Sequence, residues 1–280
     1  MCLNSFLIKN HNNMCKIFIS FLLLLGLISN TYAQATADWW KNKLDEPWRN
    51  YFIKKHGISK NPTAAELAKI SALTKIDCNA SSIVTLAPLS VLRNLKVIRC
   101  DQNKSITTLA PLASLVALTE LECSETGITS LTGIENLSSL TALYCHQTAI
   151  NNITPVTNLK RLKIFDFSDT KVTSLFPLKY LTELQSLFFS RTPVTSLEPI
   201  KGLVGLRELA FSETKISNIL ALSNLPNLTE IVFTNTLVGQ ISALKANKKL
   251  AIVFCTGSKV TSAEANGLKK SLPGCEIFYE

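Results

Sequence analysis

The chain is poor in histidine: three occur in 280 residues, at His11, His56 and His146. None interleaves with the cysteines at ligand spacing, so no zinc site or other metal centre is expected. The chain also lacks an apolar run fit to cross a bilayer. Its longest, residues 17–28 (IFISFLLLLGLI), has 12 residues, whereas a spanning helix needs about 20. No cysteine directly follows that run, and the ending CEIFYE has no apolar tail. Neither a lipid anchor nor a C-terminal anchor is expected. Bases outnumber acids, for a net charge of +9, but they are scattered, with Lys160, Arg161 and Lys163 in one place and Lys245, Lys248 and Lys249 in another. A nucleic-acid binder gathers such residues with aromatics on one face, so nucleic acid is not an expected partner.

The short apolar run does fit a leader. Lys16 precedes it, and the small and polar residues Ser29 to Ala35 follow it. That pattern predicts a secretory signal peptide over residues 1–35, cut near Ala33 or Ala35. Met14 would serve as an alternative start. The mature chain is then expected to be secreted or periplasmic, with no membrane span. Loss of Lys9 and Lys16 leaves a net charge of +7, and six cysteines remain.

The dominant feature is a repeat. Ten times the chain writes Leu-x-x-Leu-x-Cys/Phe, followed by Ser-x-Thr-x-Ile-Thr-Ser-Leu and often Pro-Leu, starting at Leu73 and ending with the copy at Leu272. The step is 22 residues, except for 23 between Leu95 and Leu118, where the extra residue falls in Asn103-Lys104-Ser105. A fixed period in the twenties means stacked structural units. Within each unit the first six residues alternate like a short strand. Positions four and six point inward, and positions three, five and seven point to the opposite face. The Leu-x-Pro-Leu piece (Pro88, Pro111, Pro155, Pro177, Pro199) predicts short 3₁₀-like or extended segments on the outer side. Threonine recurs at position nine, as at Thr126, Thr148 and Thr170, and is expected to bond the loop backbone of the next unit.

Position six also decides the cysteine chemistry. Cys78, Cys100, Cys123 and Cys145 occupy it in turn, then Phe167, Phe189, Phe211 and Phe233, then Cys255. A position that accepts either residue is a core position, where a free thiol acts as a small hydrophobe. Neighbouring strands lie about 4.8 Å apart, but a disulfide needs Cβ atoms about 3.8 Å apart. Buried, reduced thiols are expected, with the pair Cys255 and Cys275 left open.

Both ends depart from the repeat. Residues 36–72 carry Trp39, Trp40, Trp48, Tyr51 and Phe52 and predict two short helices that cap the stack. Residues 261–280 predict a helix over Ser262–Leu272, halted by Pro273-Gly274, and a last strand. The expected division is therefore a signal peptide (1–35), a helical N-terminal cap (36–72), repeats (73–260) and a C-terminal cap (261–280).

The run L-x-x-L-x-[CF]-S-x-T-x-I-T-S-L-x-P-L, seen at Leu184–Ile200 and its neighbours, resembles the leucine-rich repeats of the internalin-like, 22-residue kind. The resemblance covers about two thirds of the chain, Leu73–Val260. That family usually has Asn where this chain has Thr. The two ends look like those of secreted bacterial proteins of the class. The resemblance implies an α/β solenoid with short parallel strands on a concave face. It also implies recognition of a protein or glycan through that face.

Read strand by strand, position five is charged early (Asp77, Arg99, Glu122) and mostly apolar later (Tyr144, Phe188, Ala210, Val232, Phe254). Tyr144, Ile164 and Phe188 are expected to cluster there, with His146, Asp166 and Arg191 around them, as the binding site. Large outward aromatics are favoured interface anchors. Ser124, His146, Ser168 and Asp166 hold the residue types of a nucleophilic triad. However, the position-seven serines recur without histidine, and an open sheet supplies no oxyanion hole. The expected function is non-catalytic binding, without a cofactor. The alternative is a structural, self-associating envelope protein whose concave face has no ligand.

Overall fold

The structure is a computed structural model and describes residues 34–280. The leader expected over residues 1–35 lies almost entirely outside the described residues. Ten strands of three residues form one parallel sheet: β1 (Lys75–Asp77), β2 (Val97–Arg99), β3 (Glu120–Glu122), β4 (Ala142–Tyr144), β5 (Ile164–Asp166), β6 (Ser186–Phe188), β7 (Glu208–Ala210), β8 (Glu230–Val232), β9 (Ile252–Phe254) and β10 (Glu276–Phe278). Their spatial order is their chain order. β1 to β9 pair in the repeat register, for example Tyr144 with Asp166 and Asp166 with Phe188, whereas β10 pairs with β9 two residues out of the register expected from Leu272, Phe278 with Phe254. The fold is a leucine-rich repeat solenoid with a curved sheet.

Alternation places the core. Positions four and six are fully buried, as in Leu143 and Cys145 or Leu187 and Phe189. Single 3₁₀ turns such as Phe176–Leu178 and Glu198–Ile200 return the chain along the outer side. Pro sits in their first turn, where its missing N–H costs nothing. Phe167, Phe189, Phe211 and Phe233 stack in a column with ring centroids 5.5–5.9 Å apart. In the early repeats the column is thiol instead. Cys78, Cys100, Cys123, Cys145, Cys255 and Cys275 are all free and buried. Burial pushes the Cys78 thiol up to about 12, and each early Sγ faces a carbonyl of the next strand, such as Cys100 Sγ to Glu122 O at 3.2 Å.

The threonine ladder differs from the expectation. Thr126, Thr148 and Thr170 each donate Oγ1–H to the carbonyl three residues earlier in their own repeat, at 2.6–2.7 Å. At this position the hydroxyl turns back onto its own repeat. The one amide at this position does reach it: Asn103 Nδ2 donates to Cys78 O, and its Oδ1 accepts from Ile83 N.

Both ends are capped. Asp45 accepts from Trp48 N to start α1 (Glu46–His56), and Gly57 closes it at φ +65°. Thr63 and Glu66 form a capping box that opens α2 (Ala64–Ser71). The indoles reach across to the first repeat: Trp48 Nε1 donates to Thr85 O at 2.7 Å, and Trp39 Nε1 donates to Pro88 O at 3.0 Å. Tyr51 Oη accepts from Asp77 N and so covers the edge of β1. At the other end α3 (Ser262–Ser271) replaces the outer turn and leads into β10.

Candidate functional site

The outward residues form rows across the sheet. Row three runs Lys75, Val97, Glu120, Ala142, Ile164, Ser186, Glu208, Glu230, Ile252 and Glu276, and row five runs beside it from Asp77 to Phe278. Tyr144, Asp166 and Phe188 are consecutive members of row five, all half-buried. Ile164 lies in row three of the same strands. Tyr144 and Phe188 are therefore not neighbours. They stand two strands apart, roughly 10 Å, with the Asp166 carboxylate between them. The expected apolar cluster is an aromatic–carboxylate–aromatic row with Ile164 alongside.

Arg191 belongs to a different surface. It occupies position eight, beyond the strand end, with φ +53°. Its guanidinium bridges Asp169, Nη2 to Oδ2 at 2.6 Å, and Glu213, Nη1 to Oε1 at 3.4 Å. These are the equivalent residues of the flanking repeats, so Arg191 is committed to the ridge and is not turned toward Phe188.

His146 holds two contacts on one nitrogen. Nδ1 lies 2.9 Å from Ser124 Oγ and 3.4 Å from Asp166 Oδ2. Asp166 Oδ1 also accepts from Ser168 N at 2.9 Å. The hydrogen bond to Asp166 raises the His146 pKa against the effect of burial. Burial acts to raise that of Asp166, but bonds from His146 and Ser168 outweigh it and the net shift is downward. A nucleophilic triad needs opposite ring nitrogens for the serine and the carboxylate. Here one nitrogen faces both, and Ser124 is only 1% exposed. The geometry sets His146 against Asp166 and does not form the relay of a triad.

The early part of the face is self-neutralised in the same way. Arg99 reaches Glu120 at 2.8 Å and Glu122 at 2.9 Å. Partial burial pushes Glu122 up to about 7, against the pull of Arg99. Among the described residues no group of three or more His, Cys, Asp or Glu side chains is placed to hold a metal ion, and no helix is long and apolar enough to cross a membrane. A cleft lies away from the sheet, between α1 and the first repeat turn, lined by Glu46, Tyr51, Lys54 and Ser82 among others.

Two features escaped the sequence reading. Nine successive position-eight residues, from Ala80 to Gly257, adopt the left-handed conformation, and only the last is glycine. Without glycine the sequence carries no signal for this. The other is Phe278, which stacks on Phe254 with centroids 4.6 Å apart and is 43% exposed. The register of Leu272 points to Glu276 at position five instead: the structure pairs Phe278 with Phe254, a step of 24 residues, because α3 replaces the outer turn, so the last copy does not keep the expected 22-residue step.

No family model matches the sequence, and no curated protein matches it. Solved structures do resemble it. Internalin C2 of Listeria monocytogenes aligns over 76% of this chain and 93% of its own, with 28% identity and a TM-score of 0.69. The internalin InlF of the same species covers 90% of this chain and 86% of its own, at 18% identity and a TM-score of 0.62. A leucine-rich repeat protein of Leptospira interrogans aligns over 76% of this chain and 62% of its own, at 21% identity and a TM-score of 0.63. The last two likenesses concern the fold alone. Two of these neighbours are internalins and the third is a leucine-rich repeat protein.

Proposed function

We propose that the chain is an extracytoplasmic, non-catalytic binding module that holds a protein partner against its concave sheet. The observation that carries this is the middle of row five, where half-buried Tyr144 and Phe188 flank Asp166. Strands of a solenoid present such residues on a broad surface suited to another macromolecule. Aromatic side chains placed there serve the partner, because the core is already filled from the opposite face. Ile164 adds apolar area, and the paired His146 and Asp166 supply a polar rim.

Export fits the same reading. Cleavage after Ala33 would leave Ala35 in the mature chain, and Ala35 is buried, its N–H donating to Ser71 Oγ at 2.7 Å. Cleavage after Ala35 would remove that contact. Mass spectrometry of the native protein should therefore find Gln34 at the N-terminus. An intact leader would refute export.

The test of binding is capture from culture medium and envelope extract with the mature chain, beside a Tyr144→Ala/Phe188→Ala variant. A partner held by the wild type should bind the variant at least about tenfold more weakly, with the melting temperature nearly unchanged. Equal binding by both would overturn the site. A glycan partner would appear instead on an oligosaccharide array. A homo-oligomer by light scattering, with no ligand in either assay, would favour the self-associating alternative.

A further inference from the structure

Charge on the concave face is distributed unevenly, and so is its neutralisation. From β3 onward, rows three and five hold Glu120, Glu122, Asp166, Glu208, Glu230 and Glu276 and no lysine or arginine, in a chain of net charge +9. The early members are paired internally: Arg99 serves Glu120 and Glu122, and His146 serves Asp166. The late members differ. Glu208 accepts only a hydroxyl, from Ser186 at 2.9 Å. Among the described residues, no cation lies within ion-pair distance of Glu208, Glu230 or Glu276.

These open carboxylates border the most apolar stretch of the face. Register sets Glu230, Ile252 and Glu276 side by side in row three, and Val232, Phe254 and Phe278 side by side in row five. Phe254 and Phe278 stack nearly parallel, at 13°. The exposed ring faces attract cations, and the flanking carboxylates add charge-assisted acceptors. Unsatisfied negative charge beside exposed aromatic surface is complementary to arginine or lysine set among apolar side chains.

We propose that the C-terminal end of the concave sheet, at Glu230, Phe254, Glu276 and Phe278, docks a basic, apolar segment of the protein partner. This rests on the reading of the concave face as a binding surface and assigns the chemistry of one end of it. The segment's cation would sit at the Phe254–Phe278 stack between the two carboxylates, with its apolar neighbours against Val232 and Ile252.

The test uses the mature chain and three fluorescein-labelled synthetic peptides in which leucine alternates with arginine, glutamine or glutamate. Fluorescence anisotropy at low salt should rank arginine above glutamine above glutamate, with at least about tenfold between the first and last. Affinity for the arginine peptide should fall as salt rises. Glu230→Gln/Glu276→Gln keeps size and shape and should weaken that peptide at least about fivefold, because it removes both charges that face it. Phe278→Ala should weaken it as well, and Tyr144→Ala should not. Equal affinity for the three peptides, or arginine-peptide binding untouched by the double substitution, would overturn the proposal. Arginine-peptide loss in Tyr144→Ala but not at Glu230 and Glu276 would keep the central site and reject this one. Concentration-dependent self-association abolished by Glu230→Gln/Glu276→Gln would show that a second copy, not a separate partner, fills the site.

Discussion

Gly127 lies against the carbonyl oxygen of Lys104, so close that a Cβ at this position would collide with it. Lys104 belongs to the one repeat with 23 residues, whose turn is closed by Ile106 N donating to Asn103 O at 2.9 Å. The added residue bulges toward the next repeat, which answers with a residue that has no side chain. One repeat further on, Ala149 fills the same position against a unit of regular length.

Gly127→Ala is therefore expected to destabilise the protein by about 1–3 kcal/mol, the usual cost of overpacking. Deleting Lys104 restores the 22-residue step and should remove most of that penalty. Urea unfolding of the four members of this double-mutant cycle gives the coupling. An equal penalty with and without Lys104 would show that the insertion is not what demands glycine.

The left-handed residues at position eight make a second prediction. The first eight, from Ala80 to Asn235, give their N–H to the following repeat, as Gln147 N does to Ser168 O at 2.9 Å. The ladder thereby extends past the strand, at the cost of an unfavourable backbone. Gln147 has φ +53° and an exposed side chain. Glycine relieves about 1–2 kcal/mol of strain there and gives back part of it as chain entropy. Gln147→Gly should raise stability by about 0.5–1 kcal/mol in urea melts. A loss would mean that the side chain contributes more than the strain costs.

The repeat made the fold legible, because its register fixes which residues are inward without any knowledge of the ends. The cysteine and phenylalanine column could be read for that reason, but the register of the last strand could not, because α3 replaces the outer turn and shifts it by two residues. The site was legible only in part. Row membership follows from register, so Tyr144, Asp166 and Phe188 share a face. Lateral partners do not follow from register, because they depend on side-chain reach. Arg191 turns to Asp169 and Glu213, and Thr148 bonds its own repeat.

The His146–Asp166 pair predicts a pH dependence. The His146 pKa is raised, so its contribution is fully present below its unfolded value of about 6.5 and lost as pH rises through the folded value. The Asp166 pKa is lowered, so its contribution is present above its unfolded value of about 3.8 and lost as pH falls through the folded value. The pair therefore stabilises most between about pH 4 and 6.5. His146→Gln should lower the melting temperature at pH 5 more than at pH 8.5. A difference that is flat across that range would reduce the imidazole to a packing role.

The outer column of the solenoid supplies the last test. Leu159, Leu181, Leu203 and Leu225 recur there, each fully buried, and Asn247 takes the next place at 1% exposure. Its Nδ2 donates to Leu222 O at 2.9 Å, and its Oδ1 finds no hydrogen-bond donor among the described residues. No turn requires an amide here, because its backbone (φ −81°, ψ 76°) matches that of Leu92 (φ −92°, ψ 65°). Asn247→Leu removes a buried unsatisfied acceptor, worth about 1–3 kcal/mol, and restores apolar burial of about 2 kcal/mol. Against this stand one lost hydrogen bond and a carbonyl left without its amide partner, together about 1–3 kcal/mol. The balance favours leucine by roughly 2 kcal/mol. Asn247→Ala loses the bond without refilling the space and should destabilise. Urea melts of the two variants separate the contributions. If leucine destabilises as much as alanine does, the bond to Leu222 O outweighs the column, and Asn247 is there to hold the last outer turn ahead of α3.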